Sequence, residues 1–444
     1  MIRRLLLSLI VILGLAAAPL RAGGGLIVRV AGGLVNIQLA CVLTGCTVTE
    51  NIDGQTGELY LVAPAPGGDL NALLAALLNI TGVIDVEVDT IAHVRDSNSG
   101  TQIPAALYDT TPTPYYGAMV PHGYVAQPAV SIIRLPTAQN TYPSASGGGV
   151  VAIIDTGVDP NHPVLKPCLL PGYDFTRNQS GADETLDVAL LAPPVVSRVP
   201  PTWVSGNGSG NVSQSTAAVV NQSTAAVVNG NPGYADFGHG TMVAGLVHLV
   251  APTAKILPLK AFRADGTGYN SDILRAIYAA IANHANVLNM SFTLASYSGE
   301  IATALDFATF TGTVSVASAG NSGEETMVYP AGLWNVMGIA STNNNSQLSS
   351  FSNYGPQLVW VAAPGEGVIT TYPFSTWAAG WGTSFSAPLI SGLTADLFGM
   401  NLLSDQGSAG DSVSHAQPID PNAGHGLLDT LQAIQYWSQS IGGH

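Results

Sequence analysis

The chain has 444 residues, 47% of them hydrophobic and only 9% charged, with a formal net charge of −15. This composition supplies a sizeable apolar core and excludes a chain disordered throughout. The acidic balance, with no basic stripe to meet phosphates, excludes a nucleic-acid partner.

Arg3 and Arg4, the apolar run 5–18 and the small residue Ala22 read as an export signal over residues 1–22. Pro19 and Arg21 break the run short of the roughly 18 apolar residues a membrane span needs. The expectation is a secreted or extracytoplasmic protein, off the membrane once the signal is removed.

Residues 23–95 read as a separate unit. Residues 26–30 alternate as a strand, 34–43 suit a short helix, and 46–52 and 58–63 read as strands. Between the last two, Asp53-Gly54 and Gly57 carry turn chemistry. Residues 70–80 are a Leu/Ala helix opened by Asp69 as N-cap, and 83–88 a last strand. The order β-α-β-β-α-β is the ferredoxin-like arrangement. Cys41 and Cys46 are close enough to pair in an oxidising compartment; Cys168 is then the odd one, best read as a small buried hydrophobe. No Cys/His cluster has zinc-ligand spacing.

Residues 96–120, rich in Ser, Thr, Pro and Gly, read as a linker to a large domain over 121–444. There, residues 150–154 form a buried-strand run that ends in Asp155-Thr156-Gly157. A low-complexity insertion follows at about 178–235. It holds the octapeptide Q-S-T-A-A-V-V-N twice, at 214–221 and 222–229. Two short copies are too few for a solenoid, so a surface loop or hairpin is expected. From Lys255 onward, strands alternate with helices: 256–259, 287–292 and 314–317 as strands, 272–283 and 301–310 as helices. This implies an α/β fold, a mostly parallel sheet covered by helices on both faces, with the site at the carboxyl ends of the strands. Asp155, Ser291 and Asn321 fall at such ends.

Two further stretches carry chemistry. Phe237-Gly238-His239-Gly240-Thr241 sets a His between two Gly at the start of an apolar helix. Gly382-Thr383-Ser384-Phe385-Ser386-Ala387-Pro388 sets a Ser at the mouth of another, with Pro388 expected in its first turn. A hydroxyl there lies beside unpaired backbone N–H groups and the positive end of the helix dipole. Asp, His and Ser at the ends of core elements are what acyl transfer needs.

In the order Asp155, His239, Ser384, the motifs D-T-G, H-G-T-x-V-A-G and G-T-S-x-S-A-P resemble those of the subtilisin-like serine peptidases, the subtilases. The resemblance covers residues 26 to about 440. It implies a subtilisin-like catalytic domain behind an inhibitory propeptide, residues 23–95, that is removed by self-processing. It implies a monomeric secreted endopeptidase acting on proteins or peptides, with its own propeptide as inhibitor. Asp155, His239 and Ser384 would be the triad, and Asn321, in A-G-N, an oxyanion donor. Ser291, Phe292 and Thr293 would be the strand edge that pairs with substrate, with Thr293 where the family usually has Gly. Val328 would lie near the floor of the pocket for the residue before the scissile bond; with Thr293 it points to small or medium apolar side chains. No cofactor is implied for the chemistry. Structural calcium at Asp174, Asp183, Glu184 and Asp187 stands beside the alternative of a solvated acidic loop. An α/β-hydrolase is set aside, because it needs G-x-S-x-G and the reverse order. The remaining rival is a non-catalytic binding or structural protein on a subtilase scaffold.

Overall fold

The computed structural model describes residues 24–54, 57–94, 103–188, 218–219, 232–400 and 406–441. The expected export signal lies outside them.

The N-terminal unit has the expected order of elements. Strands Leu26–Val30, Thr47–Asn51, Leu59–Ala63 and Val83–Val88 alternate with helices Gly33–Thr44 and Leu70–Leu77. The sheet runs Thr47–Asn51, Leu59–Ala63, Leu26–Val30, Val83–Val88, antiparallel throughout. Asp69 caps its helix by accepting the Asn71 N–H at 2.9 Å. A Cys41–Cys46 disulfide ties the first helix to the next strand, while Cys168 is free and buried. The alternation of the strands divides their side chains. Leu26, Val28, Val30 and Val62 pack with Ile37, Leu73 and Leu77 of the unit's own helices. Ile27, Leu59 and Leu61, on the other pleat, share an apolar cluster with Ile273, Ile277 and Phe292 of the large domain.

The large domain is organised by an eight-stranded sheet. Its order is Gln179–Ser180, Tyr173–Asp174, Lys255–Lys260, Val150–Asp155, Val287–Met290, Val314–Ser318, Val336–Thr342, Val361–Pro364. All neighbours are parallel except the first pair. Alternation along Val150–Asp155 shows why both faces are covered. Val151 and Ile153 face a core with helices His239–Val250 and Thr383–Met400. Ala152 and Ile154 face one with helices Asn270–Ala282 and Gly299–Phe310. Strands buried on both faces read as continuous apolar runs, which is what the sequence shows.

Three segments differ from expectation. Much of the stretch read as a linker is folded: Pro112–Tyr115 and Ala118–Pro121 form a hairpin, Val120 is buried, and Tyr115 donates its hydroxyl to the Leu249 carbonyl. Ala218 and Val219, in the first octapeptide copy, pair antiparallel with Ala379 and Ala378; the rest of the duplication lies outside the described residues. Pro388 sits inside helix Thr383–Met400, past its first turn. There it withholds the N–H that would bond the Ser384 carbonyl. Among the described residues no helix is long and apolar enough to cross a membrane.

Candidate active site

Asp155, the last residue of its strand, is buried. Its Oδ1 lies 2.7 Å from His239 Nδ1 and accepts the Thr156 N–H at 2.7 Å. His239 is the first residue of its helix and is fully buried. The turn before it depends on glycine. Gly238 has φ 91°, a Cβ there would strike the Tyr372 ring, and one at Gly240 would strike the Gly157 carbonyl. The two motifs D-T-G and G-H-G are therefore packed backbone to backbone.

Ser384 is the second residue of its helix, where backbone N–H groups have no partner within the helix. The His239 ring packs at 5.6 Å from Phe385, the next residue. Ser384 Oγ donates to the Ser291 carbonyl at 3.4 Å. The Ser384 carbonyl, orphaned by Pro388, instead accepts the Ser291 hydroxyl at 2.9 Å. Asn289 Nδ2 donates in turn to Ser291 Oγ at 3.0 Å, and Ser391 Oγ donates to Asn289 Oδ1 at 2.8 Å. This buried chain fixes the strand edge against the serine helix.

Asn321 follows strand Val314–Ser318. Its Oδ1 accepts both the N–H and the hydroxyl of Thr383, each at 2.9 Å. That fixes the amide plane one residue from Ser384 and makes Nδ2 the donor end.

Of the expected substrate edge, Thr293 exchanges two backbone hydrogen bonds with His93, each 3.1 Å. Phe292 is buried against Phe262 at 4.8 Å, so its side chain belongs to the core and only its backbone belongs to the edge. Val328 is half-buried, and the next residue's carbonyl accepts the Leu294 N–H at 2.7 Å, which brings that segment to the edge. The opposite wall, Thr267–Tyr269, pairs antiparallel with Ile91–His93. The tail of the N-terminal unit thus lies as a strand between the two walls. The sequence reading missed this wall; its signal was Gly266-Thr267-Gly268, small residues that let another backbone approach.

The four carboxylates considered for calcium are otherwise engaged. Asp174 binds Thr176 and Arg177, and Asp187 binds Arg177 and Lys260. Asp183 caps the Thr185 N–H. Glu184 is buried at the start of the histidine helix; burial raises its carboxyl, while the Thr241 and Thr156 hydroxyls and nearby Lys260 favour the ionised form. No cluster of three or more His, Cys, Asp or Glu able to hold a metal occurs among the described residues. Charge-paired and capping carboxylates do not fit a calcium site. His248 is buried 3.4 Å from the Tyr124 hydroxyl; burial lowers its pKa to about 4.

Residues 146–401 match the model of the subtilase family. Thermitase of Thermoactinomyces vulgaris is 32% identical over 301 residues, 66% of this chain and 91% of thermitase. Subtilisin BL of Lederbergia lenta is 38% identical over 167 residues, 36% of this chain and 62% of that protein. The fold is similar to that of fervidolysin from Fervidobacterium pennivorans, with a TM-score of 0.69 at 20% identity, over 93% of this chain and 61% of fervidolysin. The chain therefore belongs to the subtilase family, and it is a serine-type endopeptidase.

Proposed function

We propose that the protein is exported, is held inactive by residues 23–95, and hydrolyses peptide bonds through Asp155, His239 and Ser384. The observation that carries this reading is the buried 2.7 Å contact of Asp155 with His239, whose ring packs beside the serine helix. Ser384 Oγ attacks the substrate carbonyl as His239 takes its proton. Asp155 holds Nδ1 in the donor tautomer and stabilises the imidazolium. The Ser384 N–H and Asn321 Nδ2 stabilise the oxyanion. The leaving amine takes the proton from His239, and water then hydrolyses the acyl-enzyme by the same route. Substrate adds as a strand between Thr267–Tyr269 and Thr293.

The tail Ile91–Val94 supports self-processing. In an antiparallel ladder, two residues forward on one strand face two residues back on the other. His93 pairs with Thr293, two positions along the edge from Ser291, whose carbonyl lies beside Ser384 Oγ. Counted along the sequence from that pair, the proposed cut is the Arg95–Asp96 bond. A basic residue there departs from the apolar preference read from Val328 and Thr293. A bond on the same chain meets the nucleophile at high effective concentration, so self-cleavage tolerates a residue that free substrates are not selected for.

The test is casein hydrolysis by the wild-type protein after residues 23–95 have left it, and by its Ser384→Ala variant, with a serine-directed covalent inhibitor. A single adduct on Ser384, with activity lost in the variant by about 10⁶-fold (a magnitude taken from a subtilisin), supports the reading. Undiminished hydrolysis by folded Ser384→Ala protein overturns it in favour of a different nucleophile. Absence of both adduct and hydrolysis in the processed wild-type chain favours the non-catalytic rival.

A further inference from the structure

We infer that Glu184 is a positioning residue, which holds the helix of His239 and the strand end of Asp155 in the register that brings imidazole and carboxylate together. This rests on the triad reading above.

Glu184 is 54 residues before Gly238 in sequence and fully buried. Its Oε2 accepts the Gly238 N–H at 3.0 Å and the Thr156 hydroxyl at 2.9 Å. Its Oε1 accepts the Thr241 N–H at 3.0 Å and also the Thr241 hydroxyl. Gly238 has no side chain with which to cap the histidine helix. Glu184 supplies that cap from elsewhere in the chain, at the end where the helix dipole favours negative charge.

The same carboxylate reaches the aspartate strand. Thr156, next to Asp155, donates to Glu184 and accepts the Gly240 N–H at 2.9 Å. The Thr241 hydroxyl accepts the Asp159 N–H at 2.8 Å. From the other side, buried Lys260 donates to the Thr156 carbonyl at 2.7 Å and to Asp187 at 2.9 Å. Thr156 is therefore held through its hydroxyl by a carboxylate that accepts and through its carbonyl by an ammonium group that donates. The residues flanking Asp155 and His239 are bound to one carboxylate that touches neither.

A mispositioned imidazole should slow turnover while leaving the substrate edge, which is built from other strands, intact. Displacement by about 1 Å costs about 10²-fold in rate. The test compares processed wild-type enzyme with Glu184→Gln, Thr156→Val, their double variant and Thr156→Ser, with His239→Ala as control. Rates are taken per site labelled by a serine-directed inhibitor, and the low-field NMR signal of the His239 Nδ1 proton is followed. The expected result is a kcat about 10²-fold lower in Glu184→Gln, with KM within threefold and a displaced low-field signal. Thr156→Val should show a similar loss, Thr156→Ser near-normal rates, and the double variant no additive loss.

A lowered melting temperature with kcat per labelled site and the low-field signal unchanged would overturn the inference. If Glu184→Gln does not fold, the Thr156 pair decides: equal kcat in Thr156→Val and wild type overturns it. Retained activity in His239→Ala would instead sink the triad reading itself.

Discussion

Two parts of the molecule use the same device, a carboxylate at a helix start, to different ends. Within the large domain Glu184 caps the histidine helix from a fully buried position, with donors on both sides. Across the seam with the N-terminal unit, Glu87 accepts the N–H groups of Gly299 and Glu300 and the Ser298 hydroxyl. Asp89 accepts the N–H and hydroxyl of Ser271. Beside them Arg29 pairs with Glu300. The first cap joins parts of one domain that never separate. The second pair belongs to a unit with its own core, so the caps can leave with it, and Ser298 still caps the Ile301 N–H at 3.1 Å. The first cap fixes geometry, whereas under the proposed removal of the N-terminal unit the second pair would set how long that unit stays.

The sharpest way to separate geometry from docking is Asn321→Ala. Its amide is fixed by Thr383, one residue from Ser384. The variant should lose about 10²–10³ in kcat, a magnitude taken from the loss of one such donor in a subtilisin, with KM within a few-fold. A raised KM with unchanged kcat would make Asn321 a substrate-positioning group instead.

The seam should respond in the opposite sense. Each cap is worth about 0.5–2 kcal/mol, so Glu87→Gln with Asp89→Asn in the full chain should shorten the lag before activity appears, by several-fold. The final rate per labelled site should stay equal to wild type. An unchanged lag would mean that the apolar face of Ile27, Leu59 and Leu61 alone holds the unit.

The smallest effect concerns a carboxyl that neither device uses. Asp396 is fully buried in the serine helix, and neither oxygen has a hydrogen-bond partner. Burial raises its pKa well above the usual carboxylate range. With its folded pKa above the unfolded one, the stability it contributes is fully present below about 3.9 and is lost as pH rises. Asp396→Asn should therefore gain melting temperature over wild type as pH rises above that value, with little difference below it. A gap constant with pH would contradict this.

Much of this was legible in the sequence. The N-terminal unit's alternation of strands and helices gave its topology, because each element carries its own period and its own turn or cap, such as Asp69. Asp155, His239, Ser384 and Asn321 stood out because each sits at an element's end among glycines. What was not legible came from distant contacts. Glu184 reads locally as one acid among Asp183 and Asp187, and only folding brings it to Gly238. Residues 112–120 read as linker because Pro and Thr mask a hairpin that is anchored far along the chain, through the Tyr115 bond to Leu249. Ile91–His93 pairs with a strand about 175 positions on and with Thr293, registers that no local pattern encodes. Pro388 followed a general preference for first turns. Its actual place answers a local need, freeing the Ser384 carbonyl for Ser291.

The central claim is that the Asp155–His239–Ser384 cleft cuts its own chain at the end of the strand it holds. N-terminal sequencing of the exported protein, wild type beside Ser384→Ala in a host lacking other proteases, tests it most directly. The account predicts a mature wild-type chain beginning at Asp96 and a Ser384→Ala chain that retains residues 23–95. The same N-terminus in both proteins, or a wild-type chain cut anywhere other than Arg95–Asp96, would contradict it.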